Sequence, residues 1–147
     1  MIKYISYNQI YEIWQTKLWP NRLSKIEPNS SMCFLAGVDI NNMYLPSTFI
    51  GLFVDEKLVG VNSGHLCSDK SYRSRGLYVD IDYRGFGYGV ELLTATVNIA
   101  IKNKAKFIWS LPRQTSWKTY KSAGFKLASN WTRTETSESN AYCYKVL

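Results

Sequence analysis

Leu77–Ala100 reads LYVDIDYRGFGYGVELLTATVNIA: an apolar run rich in β-formers, three glycines at alternate positions (Gly85, Gly87, Gly89), then an amphipathic run. Glycines let backbone N–H groups approach a ligand closely, and a following helix N-terminus adds partial positive charge. The order strand, glycine loop, helix is therefore the outline of a phosphate cradle. The helix is expected from about Tyr88 to Asn103, with Val90, Leu93, Val97, Ala100 and Ile101 as its buried stripe. Glu91 near its start and Lys102 and Lys104 near its end suit the helix dipole.

Spacing sorts the common cradles. The dinucleotide pattern G-x-G-x-x-G fails from Gly85, because Val90 stands where the last glycine belongs. The ribose-binding acid expected about twenty residues on is missing as well. The pattern G-x-x-x-x-G-K-[ST] fails because the chain has no Gly-Lys pair. Arg84-x-x-Gly87-x-Gly89 fits a third pattern, R-x-x-G-x-G.

Outward from the loop, SYRSRGLYVD (Ser71–Asp80) reads as the preceding strand and KFIWSL (Lys106–Leu111), closed by Pro112, as the following one. A strand–helix–strand unit over Arg73–Leu111 predicts a right-handed parallel crossover. Upstream, IKYIS reads as a first strand and NQIYEIWQTKLW as a helix with Ile10, Ile13, Trp14 and Leu18 on one side and Pro20 as its stop. The polar segment from Pro20 to Met32 leaves room for a short second helix. STFIGLFVDEKLVGVNSGHLC reads as two strands around a turn at Asp55, Glu56 and Lys57. Downstream, TSWKTYKSAG reads as a short helix ended by Gly124, and FKLASNW and AYCYKV as closing strands.

At 147 residues the chain fits one domain, 1–147, with an ordinary core. No apolar run reaches membrane-spanning length, and the N-terminal stretch lacks the features of a signal peptide. Three widely spaced cysteines (Cys33, Cys67, Cys143) without a C-x-x-C pair read as reduced thiols, which places the protein in the cytoplasm. His65-x-Cys67 is the only hint of a metal site, and ordinary packing accounts for it, so no metal is expected. The net charge is +7, and between Leu92 and Thr134 there are eight basic residues (Lys102, Lys104, Lys106, Arg113, Lys118, Lys121, Lys126, Arg133) and no acid. Such a surface is either solvated, or serves a polyphosphate ligand or nucleic acid. No RNP-like or zinc-finger pattern accompanies it.

Arg84-x-x-Gly87-x-Gly89 resembles the coenzyme A pyrophosphate loop of the GNAT superfamily, the histone-acetyltransferase-related N-acetyltransferases. The strand before it, the helix after it and TYKSAGF (Thr119–Phe125), with Tyr120 ahead of Gly124-Phe125, resemble the same family over Arg73–Phe125. The resemblance implies an α/β fold: a mixed, mainly antiparallel central sheet flanked by helices, with a parallel splay between the fourth and fifth strands. It implies acetyl-CoA as cosubstrate, no metal, and transfer of its acetyl group to a primary amine by direct attack in a ternary complex. The acceptor would be a small molecule or a peptide, with no membrane or nucleic-acid partner, and a homodimer is compatible.

By the same resemblance Arg84, Gly85, Phe86, Gly87, Tyr88 and Gly89 would hold the pyrophosphate. Main-chain groups of Leu77 and Val79 would bond the pantetheine arm, with the Val79 N–H near the thioester carbonyl. Tyr120 falls on the position of the proton donor to sulfur; its alternative is packing within a short helix. Two departures stand out. The strand Arg73–Val79 lacks the glutamate that serves many members as base, which leaves His65, the only histidine, as a candidate. Arg113 stands where many members have asparagine after the fifth strand. Arg73 and Arg75 alternate on the strand expected to border the acceptor and are either solvated or bind an anionic group of it. Two other readings remain open at this stage: a GNAT-like domain that binds coenzyme A without turnover, and a basic RNA-binding domain.

Overall fold

The computed structural model describes residues 1–133 and 138–147. Its elements run β1 (Ile2–Tyr4), α1 (Tyr7–Ile13), β2 (Ser47–Val54), β3 (Lys57–Leu66), β4 (Tyr72–Val79), α2 (Tyr88–Lys102), β5 (Phe107–Ser110), α3 (Trp117–Ser122), β6 (Lys126–Leu127), β7 (Thr132–Arg133), β8 (Ser139–Asn140) and β9 (Cys143–Val146). The β2–β3 hairpin turns on Asp55 and Glu56, both at positive φ (50° and 67°). That backbone hand matches the twist of paired strands; Lys57, expected in the turn, already belongs to β3.

Seven strands form one sheet in the order β1-β2-β3-β4-β5-β9-β6, and β7 pairs with β8 apart from it. Every neighbouring pair is antiparallel except β4 and β5. The fold is thus the mixed, mainly antiparallel α/β architecture that the resemblance implied.

Two irregularities in β4 shape the site. The register with β3 slips between Val61↔Tyr78 and Ser63↔Arg75, so β4 carries an extra residue there, and Gly76 sits in this bulge at φ +78°. A bulge bends its strand and re-aims the residues beyond it. The parallel ladder with β5 comprises Tyr72↔Ile108 and Arg73↔Trp109, and beyond it the Ser110 hydroxyl donates to the Ser74 carbonyl at 2.8 Å. Past that point the strands part.

One face of the sheet is covered by α2 and α3 around Tyr72, Leu92, Leu93, Val97, Ala100, Ile108 and Phe125. The other packs α1 through Ile10, Trp14, Ile26 and Val61. Ser6 caps α1 reciprocally with Gln9. After Ile13 the helix widens by a residue per turn, so that the Trp19 N–H reaches the Trp14 carbonyl at 2.7 Å.

Several sequence expectations need correction. The buried face of α2 is Leu92, Leu93, Thr96, Val97, Ile99 and Ala100, whereas Ile101 is 54 % exposed. No helix forms between Pro20 and Met32; a short 3₁₀ segment precedes β2, at Ile40–Tyr44. Of the FKLASNW stretch only Lys126–Leu127 is strand.

Candidate active site

The parting of β4 and β5 opens a cleft of about 710 Å³. Its strand wall comes from Leu77 and Val79. The Asp80 N–H is taken by the Val59 carbonyl of β3 at 2.8 Å, so alternation along the strand turns the main-chain groups of Val79, and with them those of Leu77, away from β3 and toward the cleft. Arg84 closes the strand end: its Nε donates to the Val79 carbonyl at 2.8 Å and its guanidinium stacks on Tyr78.

At the mouth, Gly85, Gly87, Tyr88 and Gly89 line the cleft. Gly85 and Gly87 have φ of +85° and +81°, and a Cβ on either would meet nothing within 4 Å. Both glycines therefore have a left-handed backbone beside open space. Gly87 is the residue before α2, whose first-turn N–H groups lack helical carbonyl partners and concentrate positive potential there. Gly89 also serves packing, since a Cβ would come within 2.8 Å of the Thr119 side chain of α3. Phe86 is 67 % exposed and does not line the cleft.

On the β5 side the cleft is bounded by Leu111, Pro112, Arg113 and α3. Tyr120 of α3 reaches it from a buried position, packed edge-on against Phe125. Burial raises its phenol well above the ordinary tyrosine value; Cys143 adds to the rise, while Ser110 and cationic Arg73 oppose it. Lys118 lines the cleft and Lys121 does not, so the positive charge felt by the phenol comes from β4. Arg113 donates through Nη2 to the Leu18 carbonyl (2.7 Å) and pairs through Nε with Glu138 (2.8 Å).

Arg73 and Arg75 are buried, not solvated, and both line the apex of the cleft. Arg75 stacks on Trp14 and Trp19 and donates to the Glu27 carbonyl at 2.7 Å, which ties the 20–28 segment to the sheet. Arg73 stacks on Trp109 at 4.8 Å. Burial lowers Arg73 to about 10 and Arg75 to about 9, and both remain cations at neutral pH.

His65 is not brought to the cleft. It is fully buried, with its Nε2 accepting from the Ser30 N–H (3.3 Å) and its Nδ1 against the Leu66 carbonyl. Burial lowers its pKa to about 3, so the ring is neutral and spoken for. Among the described residues six cations line the cleft (Lys17, Arg73, Arg75, Arg84, Arg113, Lys118), and no aspartate, glutamate or histidine does. Of the eight basic residues in the acid-free stretch, only Arg113 and Lys118 face it. Lys17, Leu18 and Trp19, which the sequence placed in the first helix, form a further wall of the cleft.

A sequence model described as the Acetyltransferase (GNAT) family matches residues 7–125. A search among curated protein sequences finds no match. Solved structures share the fold at low identity. An IAA acetyltransferase from Bacillus cereus superposes with a TM-score of 0.72 at 13 % identity, covering 100 % of this chain and 99 % of that one. A ribosomal-protein-alanine N-acetyltransferase from Brucella melitensis gives 0.69 at 16 % identity over 100 % and 99 % of the two chains. A Bacillus subtilis acetyltransferase in complex with CoA gives 0.66 at 11 % identity over 99 % and 97 %. Neighbours this distant speak for the fold alone, whereas the family match spans most of the chain and includes the glycine loop, the splayed strands and Tyr120: the chain belongs to the GNAT acetyltransferase family.

Proposed function

We propose that the protein is an acetyl-CoA-dependent N-acetyltransferase that acts on an amine by direct attack in a ternary complex. The observation that carries this reading is the loop at the mouth of the cleft: two positive-φ glycines beside open space, at the start of the 15-residue helix α2. This is a cradle that a side chain would fill, and it suits a pyrophosphate. The CoA complex of the Bacillus subtilis neighbour adds support by analogy of fold.

Acetyl-CoA supplies an activated acyl carbon and a thiolate leaving group. Arg84, Gly85, Gly87, Tyr88 and Gly89 would hold its phosphates, with Phe86 contributing backbone only. Leu77 and Val79 would bond the extended arm through their main chain, and the Val79 N–H is available to an oxyanion.

No carboxylate or imidazole among the described residues faces the cleft, so none of them is placed to serve the amine as a base. Positive potential from Arg75 and Lys118 does part of that work. It disfavours an ammonium ion in the cleft and so lowers the pKa of a bound amine, whose proton leaves to water. Tyr120 stays protonated throughout the neutral range and can donate to the departing sulfur. Its raised pKa makes complete transfer uphill against a thiol of about 8.5, so the phenol acts as a hydrogen-bond donor as the C–S bond breaks. Arg73 limits the cost of charge developing on the phenol oxygen.

The test pairs a direct measurement of acetyl-CoA binding with thiol release in the presence of an amine panel, followed by mass spectrometry of the product. Thiol release and an N-acetylated amine are expected. Binding with no turnover on any amine would favour a non-catalytic coenzyme A binder, and absence of binding would overturn the reading altogether.

A further inference from the structure

Arg73 occupies an unusual position. It is 7 % exposed, and its Nε and Nη1 are fully covered without a hydrogen-bond partner among the described residues. Only Nη2 is left to face the cleft that Arg73 lines. The Trp109 ring holds the guanidinium plane from one side, and no acidic side chain pairs with it among the described residues. A buried cation without a partner is costly to fold around, and this one lines the cleft at the last pair of the β4–β5 ladder.

Neighbouring Arg75 differs. Its Nη1 already donates to the Glu27 and Pro28 carbonyls, at 2.7 and 3.4 Å. The apex thus offers one uncommitted guanidinium. Its one accessible nitrogen, Nη2, suits a single carboxylate oxygen, while a dianionic phosphate calls for more donors. The phosphates expected at the glycine loop do not reach it: Arg73 and Val79 are six residues apart on one strand, roughly 20 Å at about 3.3 Å per residue.

We infer that the amine acceptor carries a carboxylate, which binds at the Arg73 guanidinium in the apex of the cleft. This rests on the transferase reading above and narrows its substrate class to amino acids, peptides or other amino-carboxylates. Such a group brings the missing opposite charge to Arg73 and anchors the acceptor near the point where β4 and β5 part. The cation then selects the acceptor and, by its influence on Tyr120, assists the same reaction.

The experiment compares α-, β- and γ-amino acids and dipeptides with their matched amides, and glycine with aminomethylphosphonate, in wild type and Arg73→Met. Readouts are the acid-to-amide ratio of kcat/KM and, independently of turnover, the thermal shift caused by each ligand. In wild type at least one carboxylate should exceed its amide by roughly 30-fold or more, the scale of a buried charge-assisted pair. Arg73→Met should bring that ratio near one; the ratio cancels any loss that acts through Tyr120. Arg73→Lys and Arg73→Gln stand in if the methionine variant does not fold. Equal use of acids and amides by wild type, an acid preference that survives the substitution, or a preference for the phosphonate would each overturn the inference. If no amine releases thiol, the transferase reading fails, and the carboxylate-dependent thermal shift, present in wild type and lost in Arg73→Met or not, still decides this one.

Discussion

The Trp14 indole donates to the Gly76 carbonyl at 2.8 Å and fills the space that a Cβ on Gly76 would need, with the indole nitrogen only 2.3 Å from that position. One aromatic ring therefore locks the end of α1 onto the bulge that aims β4 into the cleft. Gly76→Ala meets both a positive-φ backbone and a ring with no room to retreat, and should cost at least about 2 kcal/mol. Urea unfolding checks the stability, and acetyl-CoA titration should show weakened binding because Leu77 and Val79 lie just beyond the bulge.

Gly87 is the opposite case. A side chain there meets nothing in the protein, so Gly87→Val should lose only the strain of its +81° backbone, about 1–2 kcal/mol, while blocking the cradle. Acetyl-CoA affinity should fall at least about tenfold. Gly87→Asn, which tolerates that backbone better, separates the two effects: the fold should recover while binding stays impaired. Wild-type affinity in a folded Gly87→Val protein would remove the loop from the ligand site.

Tyr120→Phe deletes a hydroxyl from a buried ring that keeps its edge contact with Phe125. If the phenol donates to sulfur, kcat should fall by about 10²–10⁴ with acetyl-CoA binding nearly unchanged. Because burial raises the phenol above its ordinary value, it does not titrate at neutral pH, and the deficit should be uniform from pH 6 to 9. The same shift stabilises the fold at pH values below 10, and that contribution declines as pH rises past it, when the unfolded chain ionises first. A variant within threefold of wild type across this range would return Tyr120 to packing alone.

His65 predicts a stability effect. Its folded pKa of about 3 lies below the unfolded value of about 6.5, so the unfolded chain binds an extra proton between them. Stability from the neutral ring is complete above pH 6.5 and is lost as pH falls toward 3. Between pH 7 and pH 5 this amounts to about 2 kcal/mol. Urea unfolding at the two values should show it in wild type and not in His65→Gln. Asp39, held below the ordinary carboxylate range chiefly by its hydrogen bond from Ser68, adds its loss only at lower pH. In kcat, no limb near 6.5 should belong to His65.

Local chemistry made much of this molecule readable. The hairpin at Asp55–Glu56, the glycine loop and the extent of α2 are written in neighbouring residues, and they stand close to where the sequence placed them. Thr96 shows how the pattern misled: its hydroxyl bonds the Leu92 carbonyl and accepts from Asn62, so a polar residue belongs to the buried face while Ile101 lies outside it. Arg73 and Arg75 were harder still. Their burial depends on Trp109, Trp14 and Trp19, which come from other elements, and charge alone left solvent and an anionic partner both open. The Trp14–Gly76 lock joins residues 62 apart and leaves no local trace beyond a glycine in a strand. His65 looked available because its pKa in water suits a base; the Ser30 N–H that claims its ring comes from an irregular segment with no pattern to read.

Arg75 grips the 20–28 segment by its backbone: the acceptors are the carbonyls of Glu27 and Pro28, which every sequence possesses. Side chains along that segment can therefore change without releasing the anchor. The anchor is thus written in backbone rather than in side chains, and substitutions at the exposed positions from Asn21 to Lys25 should leave Arg75 and the β4 end of the cleft where they are.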